Sequence, residues 1–136
     1  MTVDTSNLGK FYIGGQWVAP HSRASMPVLN PADEGQIGIV PLGDATDVDA
    51  AVAAAVSAFA SYSQTRKAER MALLHSLMKV TESRFEDLAQ AMRMEMGAPI
   101  TMAREAQADA AIGHLQGFIE ALAELVERET LSNGDI

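Results

Sequence analysis

The sequence predicts a short β leader containing a hairpin, followed by a mostly α-helical body. Three observations carry that expectation. Composition shifts near residue 45: six of the 10 glycines and four of the five prolines precede it, while Ala, Met, Glu and Leu dominate after it. Two short apolar runs flank a Gly-Gly pair in "KFYIGGQWVAP". Beyond Asp44 the apolar residues recur at helical spacing rather than in alternation.

The leader divides at its turn residues. Phe11 to Ile13 and Gln16 to Val18 suit strands, and Gly14-Gly15 supplies the positive φ angles that a two-residue hairpin turn requires. "RASMPVL" reads as a second extended piece. In "NPADEG", Pro31 presets φ, Asn30 and Asp33 can bond nearby backbone, and Gly35 tolerates a left-handed conformation. "QIGIVPLG" is a further strand.

Asp44 or Thr46 can cap the first helix, with Asp47 and Asp49 at its positive end. Val48, Val52, Val56 and Phe59 share one face. Met71, Leu74, Leu77, Met78 and Thr81 form the stripe of a second helix. Ser83 with Glu86 has the spacing of a capping box, so a fresh helix is expected from Arg84, with Phe85, Leu88 and Met92 inward. Gly97 and Pro99 end it. A last helix is expected from about Thr101 to Arg128. Its inner face is small in the first half (Ala103, Ala106, Ala110) and bulky in the second (Leu115, Phe118, Ile119, Leu122, Leu125, Val126). "LSNGDI" is expected to fray. The domain reading is therefore a leader over 1–45, a helical part over 46–130 and a frayed end over 131–136.

The 136 residues are 48% hydrophobic and 21% charged, the composition of a globular protein. A formal charge of −8 with only 10 Lys and Arg argues against a nucleic-acid partner. No apolar run approaches the roughly 20 residues of a membrane span. Nor does a basic start with a long apolar run suggest a secretory signal, so a cytoplasmic protein is the expectation. The chain has no cysteine, which excludes a disulfide framework and any thiolate of its own.

Sites are scarce. Neither a G-x-G-x-x-G or Walker loop nor a G-x-S-x-G elbow is present. His21, His75 and His114 are far apart and lack companions at metal-ligand spacing, so they read as structural or surface histidines. Met92, Met94, Met96 and Met102 read as helix-forming core filler rather than a soft-metal site. Glu124, Glu127 and Glu129 crowd the wrong end of a helix dipole, which suggests a solvated face or contact with more protein. From the residues alone, no catalytic and no cofactor-binding group is assigned.

The order of features nevertheless resembles a known family. "FYIGGQWV", then "VLNPADEGQIGIVPLGDATDVDAAVAAAVSAFASY", then "KAERMALLHSLMKVTESRFEDLAQAMRMEMGAP" is similar to the N-terminal segment of the NAD(P)-dependent aldehyde dehydrogenase superfamily. The resemblance covers about residues 11 to 128 and rests on six features in order, ending in Glu95-x-Gly97-x-Pro99. It implies an α/β fold of the aldehyde dehydrogenase type and oxidation of an aldehyde to an acid with NAD or NADP. The family's cysteine nucleophile, glutamate base and oxyanion-holding asparagine have no match here, so the segment alone is expected to be inactive and to bind no nicotinamide.

The resemblance also implies partners and positions. The helices would pack on a dinucleotide-binding domain in the remainder of the enzyme chain, and the leader hairpin would join an oligomerisation sheet in a homo-oligomer. Ala106, Ala110, His114 and Gly117 would face the substrate tunnel. Glu95 and the Leu29 carbonyl match groups that hold a structural monovalent cation in some relatives. The alternative is a stand-alone interaction module that pairs with an aldehyde dehydrogenase or a separate catalytic chain.

Overall fold

The structure, a computed structural model, describes residues 6–126, 130–131 and 134–135. The leader forms two antiparallel pairs. Strands β1 (Phe11–Ile13) and β2 (Gln16–Val18) pair with Tyr12 opposite Trp17, and Gly14 and Gly15 take φ of 60° and 80° in the turn, as the sequence predicts. Tyr12 and Trp17 stack edgewise at 5.1 Å between ring centroids. Strands β3 (Ser25–Leu29) and β4 (Gln36–Pro41) pair next, with a bulge between Val28 and Leu29.

Their connection is the Asn-Pro turn. Asn30 Oδ1 accepts from Ala32 N at 3.0 Å, and Asp33 Oδ1 accepts from Gly35 N at 2.9 Å. The left-handed residue is Glu34 (φ 58°), and the tolerance of Gly35 for that conformation is not used. Glu34 N donates to the Asn30 carbonyl and Asn30 N is satisfied by the Gly35 carbonyl, so the closing bonds fix the conformation one residue earlier.

Helix α1 (Ala45–Tyr62) starts at Asp44, which accepts from Thr46 N and Asp47 N while Asp47 accepts from Asp44 N. Helix α2 (Lys67–Ser83) follows. Helix α3 (Phe85–Met96) has no side-chain cap, which corrects the expected capping box. The Ser83 hydroxyl instead donates back to the Val80 carbonyl at 2.8 Å, and Glu86 is engaged elsewhere. Gly97 ends α3 in the left-handed conformation, as expected.

The last helical stretch differs most from expectation. It begins with α4 (Ile100–Met102), widens into a π-helical turn over Ala103–Ala108, and continues as α5 (Asp109–Glu124). It leaves helical geometry at Leu125 rather than Arg128, which lies outside the described residues, as do Glu127 and Glu129. The inner alanines are Ala103 and Ala108, whereas Ala106 and Ala110 are exposed. Residues five apart sit about 140° apart on an α-helix, so a wider turn is what brings Ala103 and Ala108 to one core. Lys67 Nζ, at the start of α2, donates to the Ala123 and Leu125 carbonyls at 2.7 and 3.0 Å. That cation caps the end of α5 and offsets the acidic residue Glu124 there. Of the segment expected to fray, the backbone pieces β5 (Thr130–Leu131) and β6 (Gly134–Asp135) pair antiparallel, and the other residues lie outside the described set.

The core is small. Ala89, Ala98, Ala103 and Ala108 are buried, with Phe85, Leu88, Met92 and Ile100 packed around them. Ile119 is buried separately, on the side of α5 that faces α2. Among the described residues no large side chain is fully buried, and Val48, Val52, Val56 and Phe59 on α1 are all more than half exposed. The accessible surface is 9985 Å². A compact monomer of 14.5 kDa exposes about 6,900 Å². The excess, about 3,000 Å², is several times the roughly 800 Å² that one partner contributes to a standard interface. No described helix is long and apolar enough to cross a membrane.

Candidate functional site

Helix α5 has two faces. Ala111, Ile112, Leu115, Ile119 and Leu122 are the buried and half-buried positions, on the side toward α2. On the opposite side Ala110, His114 and Gly117 are exposed and share one face at i, i+4 and i+7. A Cβ placed on Gly113 or Gly117 would meet nothing within 4 Å, so this side is open. Ala106 is also exposed, four residues ahead but inside the π turn. The structure thus leaves all four predicted residues exposed, three of them on one face in α-helical register.

The π turn contacts α3 through Arg104. Arg104 grips Glu86 with both ends of its guanidinium: Nε donates to Oε2 at 2.9 Å and Nη2 to Oε1 at 2.7 Å. Gln90 Nε2 donates to the same carboxylate at 2.8 Å. The Arg104 and Gln90 hydrogen bonds hold the Glu86 carboxyl down to about 2. Within the turn, Asp109 N donates to the Arg104 carbonyl, the i→i+5 bond that defines it. The Oε1 of Gln107 is buried there without a hydrogen-bond partner. Sequence reasoning missed the Glu86–Arg104 pair, whose members are 18 residues apart.

The Asn-Pro turn and the Glu-x-Gly-x-Pro corner meet. A Cβ on Gly97 would lie 3.1 Å from Pro31 Cβ, so glycine there allows both the left-handed φ of 67° and the close approach of the turn. Glu95 lines a cleft of about 150 Å³ with Val28, Ile39 and Met94. Leu29 follows Val28 at the bulge but is not among the residues lining that cleft. Among the described residues no three acidic or histidine side chains gather as a metal site. One carboxylate and one carbonyl would suit only a weakly held monovalent ion, completed by other oxygens.

His21, read as structural, ties the leader to α1. Its backbone N donates to Asp47 Oδ1 and its Nδ1 lies against Asp44 Oδ2, both at 2.8 Å. The Asp44 hydrogen bond raises the His21 pKa, and the same bond lowers that of Asp44. The backbone N–H of His21 is the main cause that lowers Asp47.

Comparison with known proteins gives these features a context. The model of the "Aldehyde dehydrogenase family" matches residues 17–135. The chain is 42% identical over 106 residues to 3-succinoylsemialdehyde-pyridine dehydrogenase of a Pseudomonas species, covering 77% of this chain and 22% of that protein. It superimposes with a TM-score of 0.92 on a cysteine-to-alanine mutant of aldehyde dehydrogenase C from Pseudomonas syringae, in complex with NAD+ and octanal. Identity there is 40%, over 96% of this chain and 27% of the other. For an aldehyde dehydrogenase of Mycobacterium tuberculosis complexed with NAD+, the TM-score is 0.84 and the identity 31%, over 93% and 27% of the two chains. The sequence thus spans about a quarter of the length of these relatives. Matched over most of its length in both sequence and fold, the chain belongs to the aldehyde dehydrogenase family.

Proposed function

We propose that this chain is the N-terminal segment of an enzyme that oxidises an aldehyde to a carboxylic acid with NAD or NADP. The observation that carries the reading is the match of 96% of the chain to one quarter of an enzyme bound to NAD+ and octanal. The exposed apolar faces support it: α1 presents Val48, Val52, Val56 and Phe59 with no cover, as helices do that pack on more of the same fold. The nicotinamide supplies the hydride acceptor when bound. A thiolate nucleophile has to come from elsewhere, because these residues include no cysteine.

In this reading the segment's own part is positional. The open face with Ala106, Ala110, His114 and Gly117 borders the aldehyde entrance, and its small side chains leave room for a bulky substrate. The β1–β2 hairpin, a two-stranded sheet with free outer edges, adds to a sheet in a homo-oligomer. Glu95 and the Leu29 carbonyl contribute to a structural monovalent cation site. The enzyme works in the cytoplasm.

The test is turnover. The native polypeptide that contains this sequence should reduce NAD+ or NADP+ with an aldehyde, and the isolated 136 residues should not. A native polypeptide inert across short, long and aromatic aldehydes with both cofactors would overturn the reading.

A further inference from the structure

Two features set the last helical stretch apart from a plain α-helix. One is the π turn over Ala103–Ala108, the other the two-pronged contact of Arg104 with Glu86 on α3. A π turn is a wider, rarer coil than the α-helix around it and persists where tertiary contacts hold it. Here the contacts are specific. Ala103 and Ala108, five residues apart, are both completely buried in the core that includes Ala89 of α3. Arg104 lies inside the turn, and its Nε and Nη2 both donate to Glu86, which also accepts from Gln90. The Arg104 carbonyl receives the i→i+5 bond from Asp109. Gln107, also in the turn, has its Oε1 buried without a hydrogen-bond partner.

We propose that Glu86 and Arg104 are positioning residues: their clamp holds the π turn and so sets the rotation of Ala106 relative to Ala110, His114 and Gly117. The inference rests on the reading of that face as the aldehyde entrance. Were the turn to relax to α-helical spacing, the segment carrying Ala106 would rotate about the axis relative to α5. The side chain nearest the entrance would change although no residue there had been replaced.

The experiment compares the native polypeptide with its Glu86→Gln, Arg104→Met and Glu86→Arg/Arg104→Glu variants. Removing either partner should raise KM for a long aldehyde such as octanal by roughly 3- to 10-fold with kcat within about twofold, and the charge swap should return KM toward wild type. Crystal structures of the single variants should show the Asp109 N to Arg104 carbonyl bond lost. Unchanged KM with a lowered melting temperature would make the clamp merely structural and overturn the proposal. A KM that rises in the single variants and is not restored by the swap would also overturn it. If the native polypeptide oxidises no aldehyde, the functional reading fails, and the crystal structures still decide whether the clamp sets the register: a retained π turn refutes it.

Discussion

Gly97 and Gly14 have nearly the same φ, 67° and 60°, but different neighbours. A Cβ on Gly14 would meet Ala54 Cβ at an ordinary 3.8 Å, whereas on Gly97 it would press Pro31 Cβ at 3.1 Å. Gly14→Ala should therefore cost only the left-handed penalty, about 1–2 kcal/mol. Gly97→Ala carries that penalty plus the strain of moving a proline ring by a few tenths of an ångström. Overpacking of this kind adds about 1 kcal/mol or more, for a total of about 2–4 kcal/mol. The assay is urea unfolding of the native polypeptide at constant m-value. Pro31→Gly in the Gly97→Ala background should recover the packing part and leave the conformational part. Equal losses at the two glycines, or no recovery from Pro31→Gly, would refute the argument that the Asn-Pro turn and the α3 corner are packed together by the absence of that Cβ.

The His21 ring should titrate above its ordinary value of 6.5, by NMR, and fall back in Asp44→Asn. The raised His21 stabilises fully below pH 6.5 and loses that contribution as pH climbs through its folded value. The lowered Asp44 stabilises above its ordinary 3.8 and loses its contribution as pH falls through its folded value. Glu86 should stay ionised to about 2, contributing above its ordinary 4.5 and fading as pH falls toward 2; in Arg104→Met its titration should move up toward 4.5, which a carboxyl NMR titration reads directly. Ala110→Phe in the native polypeptide should raise KM for bulky aldehydes roughly tenfold or more and affect short ones much less, measured as kcat/KM across a chain-length series.

Local chemistry made much of the fold legible. Gly14-Gly15 named the hairpin, Asp44 was one of two candidates with Thr46 for the start of α1, and Gly97 named the end of α3, because each solves a backbone problem within a few residues. What failed depended on distant partners. Ser83 and Glu86 have capping-box spacing, but Arg104 captures the glutamate from 18 residues away. Ala106 fits a 3.6-residue period, but burial of Ala103 and Ala108 imposes a wider turn that no such period reveals. Lys67 capping α5 across 56 residues was equally invisible. Of the candidate site, the shared face of Ala110, His114 and Gly117 was legible because simple helical spacing defines it, whereas the clamp behind it required the fold.

The most direct test of the central claim is the mass of the native polypeptide carrying this sequence, read with an antibody against these residues. A chain that forms about a quarter of an aldehyde dehydrogenase fold should belong to a polypeptide about four times its 14.5 kDa. A native species of 14.5 kDa that unfolds cooperatively as a monomer would contradict the account. It would mean that the exposed faces of α1 need no cover, and that the chain acts as an interaction module rather than as the front of an enzyme.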